Sequence, residues 1–189
     1  MAGWLDQGLV INATALYITS TTPIDAGSSA AESVDNAADL VGRDVDITLP
    51  AVQYKTTTAN VMGDMEVPIF GQLEDMVLTI HPHGLSAKSL AKLAEPGAKQ
   101  LEIRWAQQWI DEGANQTLEA GKAYITAAPK VLAPELSLTA GNAAEYDLSY
   151  TVTKYKLVVG DTEVCDIDRI SGVVKVNGVS DSKNPYSII

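Results

Sequence analysis

The stretch YDLSYTVTKYKLVVGDTEVCDID, residues 146–168, decides how the rest of the chain is read. Tyr146, Leu148, Tyr150 and Val152 recur at every second position, the period of a strand with one face in a core. The apolar file then resumes out of phase at Tyr155, Leu157 and Val159. A change of phase inside a continuous strand pattern predicts a β-bulge or a sharp bend near Thr153. Gly160-Asp161 suits a tight turn, and residues 164–167 return as a hairpin partner. Residues 173–176 form a further short strand, closed by the turn signal Asn177-Gly178.

The same alternation recurs upstream. In residues 44–51, Val45, Ile47, Leu49 and Ala51 alternate with Asp44, Asp46, Thr48 and Pro50. Leu101, Ile103 and Trp105 alternate with Gln100, Glu102 and Arg104; Met76, Leu78 and Ile80 make another file, and Ala123, Ile125 and Ala127 a weaker one. Residues 9–19, rich in Ile, Tyr, Thr and Val, read as a strand with both faces partly covered. One segment reads as helix: Ser86 can cap its first turn, and Leu85 can staple onto Leu90. Leu90, Leu93 and Ala94 share a face, and Pro96-Gly97 stops the run. Residues 20–42 and 112–119 are polar breaks. The pattern predicts one all-β domain over residues 1–189, a sandwich or barrel with one short helix.

Composition narrows the function. A chain of 189 residues can bury roughly 70% of its unfolded surface, so its core needs no disulfides. Thirteen basic against 24 acidic residues give a formal charge of -11. Through residue 80 there are 11 acidic and 2 basic residues, a net of -9; beyond it 13 and 11, a net of -2. Such a chain repels phosphate backbones and anionic membranes, and its acids read first as a solvated face that keeps it soluble. Cys165 is the single cysteine, so no intrachain disulfide forms, and its place in the apolar file reads as a small buried filler. No apolar run is long enough to span a bilayer, and residues 1–8 have no basic residue and contain Asp6, unlike a secretory signal. Synthesis in the cytoplasm is the expectation.

Catalytic and metal chemistry finds little support. His81-Pro82-His83 lacks a third histidine or a nearby cysteine, and a metal there would need carboxylates from elsewhere. No Gly-x-Ser-x-Gly elbow or glycine-rich phosphate loop occurs. The acid pairs Glu74-Asp75, Asp111-Glu112 and Asp166/Asp168 read as solvated, and the acids of residues 161–168 miss the calcium-loop spacing. No catalytic residue, cofactor or metal ligand is assigned, and an enzyme is not expected.

Residues 54–71 are harder to accommodate. They join two strong strands and mix Thr57, Thr58, Asn60, Gly63 and Gly71 with apolar Val61, Met62, Met65, Val67, Ile69 and Phe70. Such a connection exposes apolar surface unless something covers it. Either it folds back on its own sheet or another subunit shelters it.

Asp46-Ile47-Thr48-Leu49-Pro50, residues 53–58, the turn Val61-Met62-Gly63-Asp64 and Val67-Pro68-Ile69 resemble the early signature of the contractile-phage major tail tube family, also used by phage-tail-like bacteriocins. Residues 150–159, Gly160-Asp161, residues 164–168 and the close Val174-Lys175-Val176-Asn177-Gly178-Val179 are similar to its terminal block. The resemblance covers residues 44–179; residues 20–42 look like an insertion, and residues 114–141 carry their own sequence. It implies a two-sheet antiparallel barrel with one flanking helix, six copies to a ring, and stacked rings with a β-lined channel. The hairpin of residues 54–71, with Tyr54, Val61, Met62, Met65, Val67, Ile69 and Phe70, would make the ring-to-ring contact. Asp64, Glu66, Glu74 and Asp75 are the candidate lumen or rim acids of an acidic channel passing DNA or ions. The implied partners are further copies of the chain, then tail sheath, tape-measure and baseplate proteins, with DNA as transient non-specific cargo and no membrane insertion. The implied location is the tail of a virion or phage-tail-like particle assembled in the bacterial cytoplasm.

Three alternatives stay open: a secreted or surface carbohydrate-binding β-sandwich, a related secretion-system tube protein, and a hydrolase using the acid pairs. Trp105 and Trp109, four residues apart, do not by themselves make a sugar platform.

Overall fold

A computed structural model describes residues 10–22, 39–43, 45–60, 63–82, 87–110, 116–134 and 146–180. Among these the elements are β1 (Val10–Thr22), β2 (Asp39–Arg43), β3 (Asp46–Thr48), β4 (Tyr54–Asn60), β5 (Asp64–Leu73), β6 (Val77–His81), α1 (Ala87–Ala94), β7 (Ala98–Ile110), β8 (Gln116–Pro129), β9 (Leu148–Val159), β10 (Thr162–Asp168), β11 (Val173–Val176) and β12 (Val179–Ser180). The chain is all-β with one short helix, and its strand pairs are antiparallel. Ten strands form one sheet in the order β12-β11-β10-β9-β8-β7-β1-β2, with β6 also on β9 and β3 on β6; β4 and β5 form a second sheet of their own.

The expected phase switch is a bulge. Thr126 lies opposite Lys154 and Ala127 opposite Val152, which leaves Thr153 as the extra residue. Its hydroxyl donates to the Thr126 carbonyl at 3.0 Å. Residues 148–151 of β9 pair with β6, whereas residues 154–159 pair with β10. One edge of β9 thus serves two neighbours in succession, and at the changeover the Val152 amide donates to Met76 O and the Arg169 amide to Thr153 O, both at 2.9 Å. Along the other branch the order is β2-β1-β7-β8-β9-β6-β3, and β2 and β3 are consecutive in the chain. These strands therefore circle back towards their start, and the Thr14 hydroxyl on β1 bonds Val45 O at 2.8 Å beside that joint. Wrapping leaves few unpaired edges.

The enclosed core holds Leu16, Met76, Leu78, Ile80, Leu101, Ile103, Ile125, Leu148, Tyr150 and Val152. Helix α1 drops Leu93 into it, and Tyr150 donates its buried hydroxyl to Leu93 O at 2.9 Å. A buried phenol finds a partner, and a helix-end carbonyl finds a donor. Gly97, at φ 126°, then reverses the chain as the Pro-Gly signal predicts. The Asn177-Gly178 turn is a two-residue hairpin loop with both φ positive, 51° and 73°, which matches the twist of the strands that it joins.

Several boundaries differ from the sequence expectation. Of the described residues 45–51 only Asp46–Thr48 is strand, and Ala51 is exposed: Pro50 has no amide to continue the ladder; Asp44 lies outside the described residues. Residues 116–119, expected in a polar break, belong to β8, because pairing with β7 runs as far as Ile110 opposite Gln116. Residues 20–22 and 39–42, expected in the other break, lie in β1 and β2; residues 23–38 lie outside the described residues. So do Leu85, Ser86 and His83, the hairpin tip Val61-Met62, and Asp111-Glu112.

Lys99 is an unanticipated tenant of the core face. It precedes Leu101 and Ile103 in the same alternation and is 1% exposed, with no hydrogen-bond partner for its amine. Burial lowers its pKa, and nearby Glu95 only partly restores it. Replacing Lys99 by Met keeps the stem volume and removes the buried amine. The expected result is a gain on the order of 1 kcal/mol at neutral pH, about 2–4 °C in Tm. A depressed ammonium pKa means the unfolded chain binds more protons below the ordinary lysine range. The advantage of Lys99→Met should therefore shrink as pH rises towards 10.5, which thermal melts across pH will read.

Candidate assembly surfaces

The β4–β5 ribbon stands apart from the wrapped sheet. It is rooted where Tyr54 pairs with Leu73 and the Glu74 amide donates to Gln53 O at 2.9 Å; Tyr54 meets Phe70 edge to face at 5.8 Å between ring centres. Three extra residues of β5 are accommodated near this root, since Tyr54 faces Leu73 whereas Thr56 faces Pro68, and Gly71 there takes φ 77°. Beyond the root the pairing is regular, from Thr56–Pro68 to Asn60–Asp64. Alternation then puts Ala59, Met65 and Val67 on one face and Thr58, Asp64 and Glu66 on the other. Met65 is 52% and Phe70 43% exposed, Val67 and Ile69 are half-buried, and between Tyr54 and Leu73 no described residue is fully buried. Isolated two-stranded hairpins are marginal in water, so an amphipathic ribbon of this kind needs a surface to lie on.

The candidate acids are not one cluster. Asp64 and Glu66 lie near the ribbon's tip, whereas exposed Glu74 and Asp75 follow its root at the other end of β5. Asp75 accepts from Arg169 at 3.3 Å.

A groove of about 350 Å³ opens beside that root. Val52, Tyr54 and Leu73 form one wall, and Leu157, Cys165 and Val176 belong to the sheet that floors it. Leu73 and Val174 also line a second hollow. Among the described residues that hollow is lined by two cations, Lys55 and Arg169, the second of which bonds Asp75. Val176 at the groove margin is 48% exposed, and Val179 on edge strand β12 is 71% exposed. Sequence reasoning found the ribbon but not the groove, whose walls come from segments far apart along the chain.

Elsewhere the side chains do structural work. Cys165 is buried, as expected of a filler, and burial pushes its thiol pKa up. His81 Nδ1 lies 2.7 Å from Asp147 Oδ1, and no group of three metal-ligating side chains occurs among the described residues. Asp168 accepts from Lys154 at 2.8 Å and from the amides of Ile170 and Ser171, and the Lys154 bond first, then those amides, hold its carboxyl at a pKa of about 2. Together with Lys156–Glu163 at 2.7 Å it laces the outer face of β9 and β10. Arg104 bonds Glu102 at 2.7 Å and lies over Tyr17. The two indoles are engaged as well: Trp105 donates to Gln107 at 3.2 Å, and Trp109 to Glu119 at 2.7 Å. No helix among the described residues is long and apolar enough to cross a membrane.

The sequence model of a known family, phage tail tube protein FII, matches residues 29–184 of the chain. No curated protein matches it.

Proposed function

The chain belongs to the phage tail tube protein FII family, a structural family of virion tails, and from that premise we propose that it is the repeating subunit of the inner tube of a contractile tail or phage-tail-like particle. Six copies form each ring, rings stack, and the channel they enclose passes DNA or ions. The observation that carries this reading is the β4–β5 ribbon, which pairs with no described strand of the large sheet and leaves Met65 and Phe70 about half exposed. A ring or filament of identical subunits supplies the missing surface, because a head-to-tail contact repeats until it closes or extends indefinitely. The ribbon is then the ring-to-ring element.

In the same reading Asp64, Glu66, Glu74 and Asp75 give negative charge to the lumen or its rims. An acidic wall repels nucleic-acid phosphates, so cargo slides rather than sticks. Sheath, tape-measure and baseplate proteins complete the set of partners, and assembly takes place in the bacterial cytoplasm. The test is electron microscopy of the purified chain in native buffer at high concentration, followed by a density map. Rings or tubes of uniform bore are expected, with these acids at the channel or ring rims. A monomer at every concentration overturns the tube, and acids on the outer wall overturn the channel assignment alone.

A further inference from the structure

We infer that residues 181–189 fold back over the chain's own apolar groove, with Tyr186 and Ile188 seated on its floor between Val52 and Val176. Such a cover belongs to the single chain and goes beyond the tube reading. Residues 181–189, DSKNPYSII, lie outside the described residues. They follow directly on β12, which pairs with β11 through Val176–Val179 and Lys175–Ser180. Val174 and Val176 of β11 line the groove, so the segment departs one strand away from it, about 5 Å. The eight residues from Ser180 to Ile188 can span about 26 Å when extended, ample for the crossing.

The chemistry favours this occupant. Leu157, Ile167, Val174 and Val176 give the groove its apolar character, and no charged side chain is among its described lining residues. The far part of the segment is likewise uncharged: after Lys183 come Asn184, Pro185, Tyr186, Ser187, Ile188 and Ile189. In an extended backbone Tyr186 and Ile188 point to one side and Ser187 points to the other. The chain's own ribbon does not compete. Tyr54 and Leu73 are both groove wall and ribbon root, and the regular pairing from Thr56–Pro68 to Asn60–Asp64 carries Met65 away from the groove. A tethered segment also acts at an effective concentration in the millimolar range, an advantage that a separate molecule lacks. Seating covers Val176, otherwise 48% exposed, and closes the groove over the thiol of Cys165.

Cys165 is the single cysteine of the chain and lines the groove, so one added thiol tests the seating. Ile188→Cys and Ser187→Cys are made separately, and each purified chain is treated in dilute solution with oxidised glutathione. The two protein thiols are oxidised to one disulfide, and the glutathione disulfide is reduced to two thiols. Ile188→Cys should close its bond to Cys165 within one chain at least tenfold faster than Ser187→Cys. A faster-running monomer on a non-reducing gel, assigned by peptide mass, reads the closure. Equal rates overturn the inference, because an unseated segment brings both positions to the thiol alike. A crosslink formed chiefly between chains overturns it too, since the groove then takes another molecule, and so does the absence of any crosslink. As a second measurement, a chain ending at Ser180 should be alkylated by iodoacetamide at Cys165 at least fivefold faster than the full chain, with its far-ultraviolet spectrum native. An unchanged rate overturns the cover.

Discussion

Above pH 10 the folded chain will lose about 1.4 kcal/mol of stability per pH unit from Tyr150 alone. Tyr150 is enclosed in the core, and burial lifts its phenol far above the ordinary value of 10.0. A folded pKa raised above the unfolded one contributes stability that is complete below pH 10 and disappears as pH climbs towards the raised value, because only the unfolded chain can ionise there. Tyr155 is displaced in the same direction, chiefly by burial and then by nearby Cys165, and Tyr146 by burial. Lys99 acts the other way, but its effect is exhausted by pH 10.5. Two units above the phenol value, Tyr150 alone takes away about 3 kcal/mol, a large share of a domain's usual 5–15. Denaturant titrations from pH 7 to 12 should show a midpoint that falls steeply beyond 10. Tyr150→Phe should soften the fall and, at neutral pH, lose only the hydrogen bond to Leu93 O, about 1 kcal/mol. A midpoint unaltered to pH 12 would contradict the burial of these phenols.

Gly121→Ala should cost about 3 kcal/mol, more than most exposed-strand changes. Gly121 pairs with Trp105 across β7 and β8, and a methyl carbon there would overlap the indole at its Cε2, Cζ2 and Nε1. The ring has little freedom to retreat. Its Nε1 is bonded to Gln107 Oε1; Gln107 donates in turn to Glu119 Oε2 at 2.6 Å, and Trp109 bonds the same oxygen. Glu119 is itself confined beside Gly160, where an added Cβ would stand 2.5 Å from Oε1. Displacing Trp105 therefore disturbs a connected row of buried and half-buried groups, which is why overpacking and lost hydrogen bonding add. Combining the change with Trp105→Leu should recover part of the loss, and the double-mutant cycle measures how much. Gly121→Ala within 0.5 kcal/mol of the parent protein would mean that the indole does not lie there.

How much of this could be read in advance depends on what kind of pattern each feature leaves. The bulge at Thr153 was legible because two apolar files, Tyr146 to Val152 and Tyr155 to Val159, are each regular and differ only in phase. The hairpins at Gly160-Asp161 and Asn177-Gly178 were legible from turn chemistry. Strands β2 and β12 were not, being short edge elements with no alternation to count. The start of β8 was hidden because Gln116, Thr117 and Glu119 are polar on both faces. Lys99 escaped because a lysine ending an apolar file reads as a solvent-facing stop, whereas here its amine has no partner. The ribbon's apolar residues stood out, but periodicity does not say what will lie against a face. The groove left no trace at all, since Val52, Leu73, Leu157 and Val176 converge only after folding.

The wrapped sheet closes without help from the ribbon, and that has a consequence for the timing of construction. The polypeptide can reach its final internal arrangement alone and persist as a finished part, because among the described residues nothing in the core awaits a neighbour. In the tube proposed above, construction is then a second step that follows folding, set by how often two finished parts collide in the right orientation.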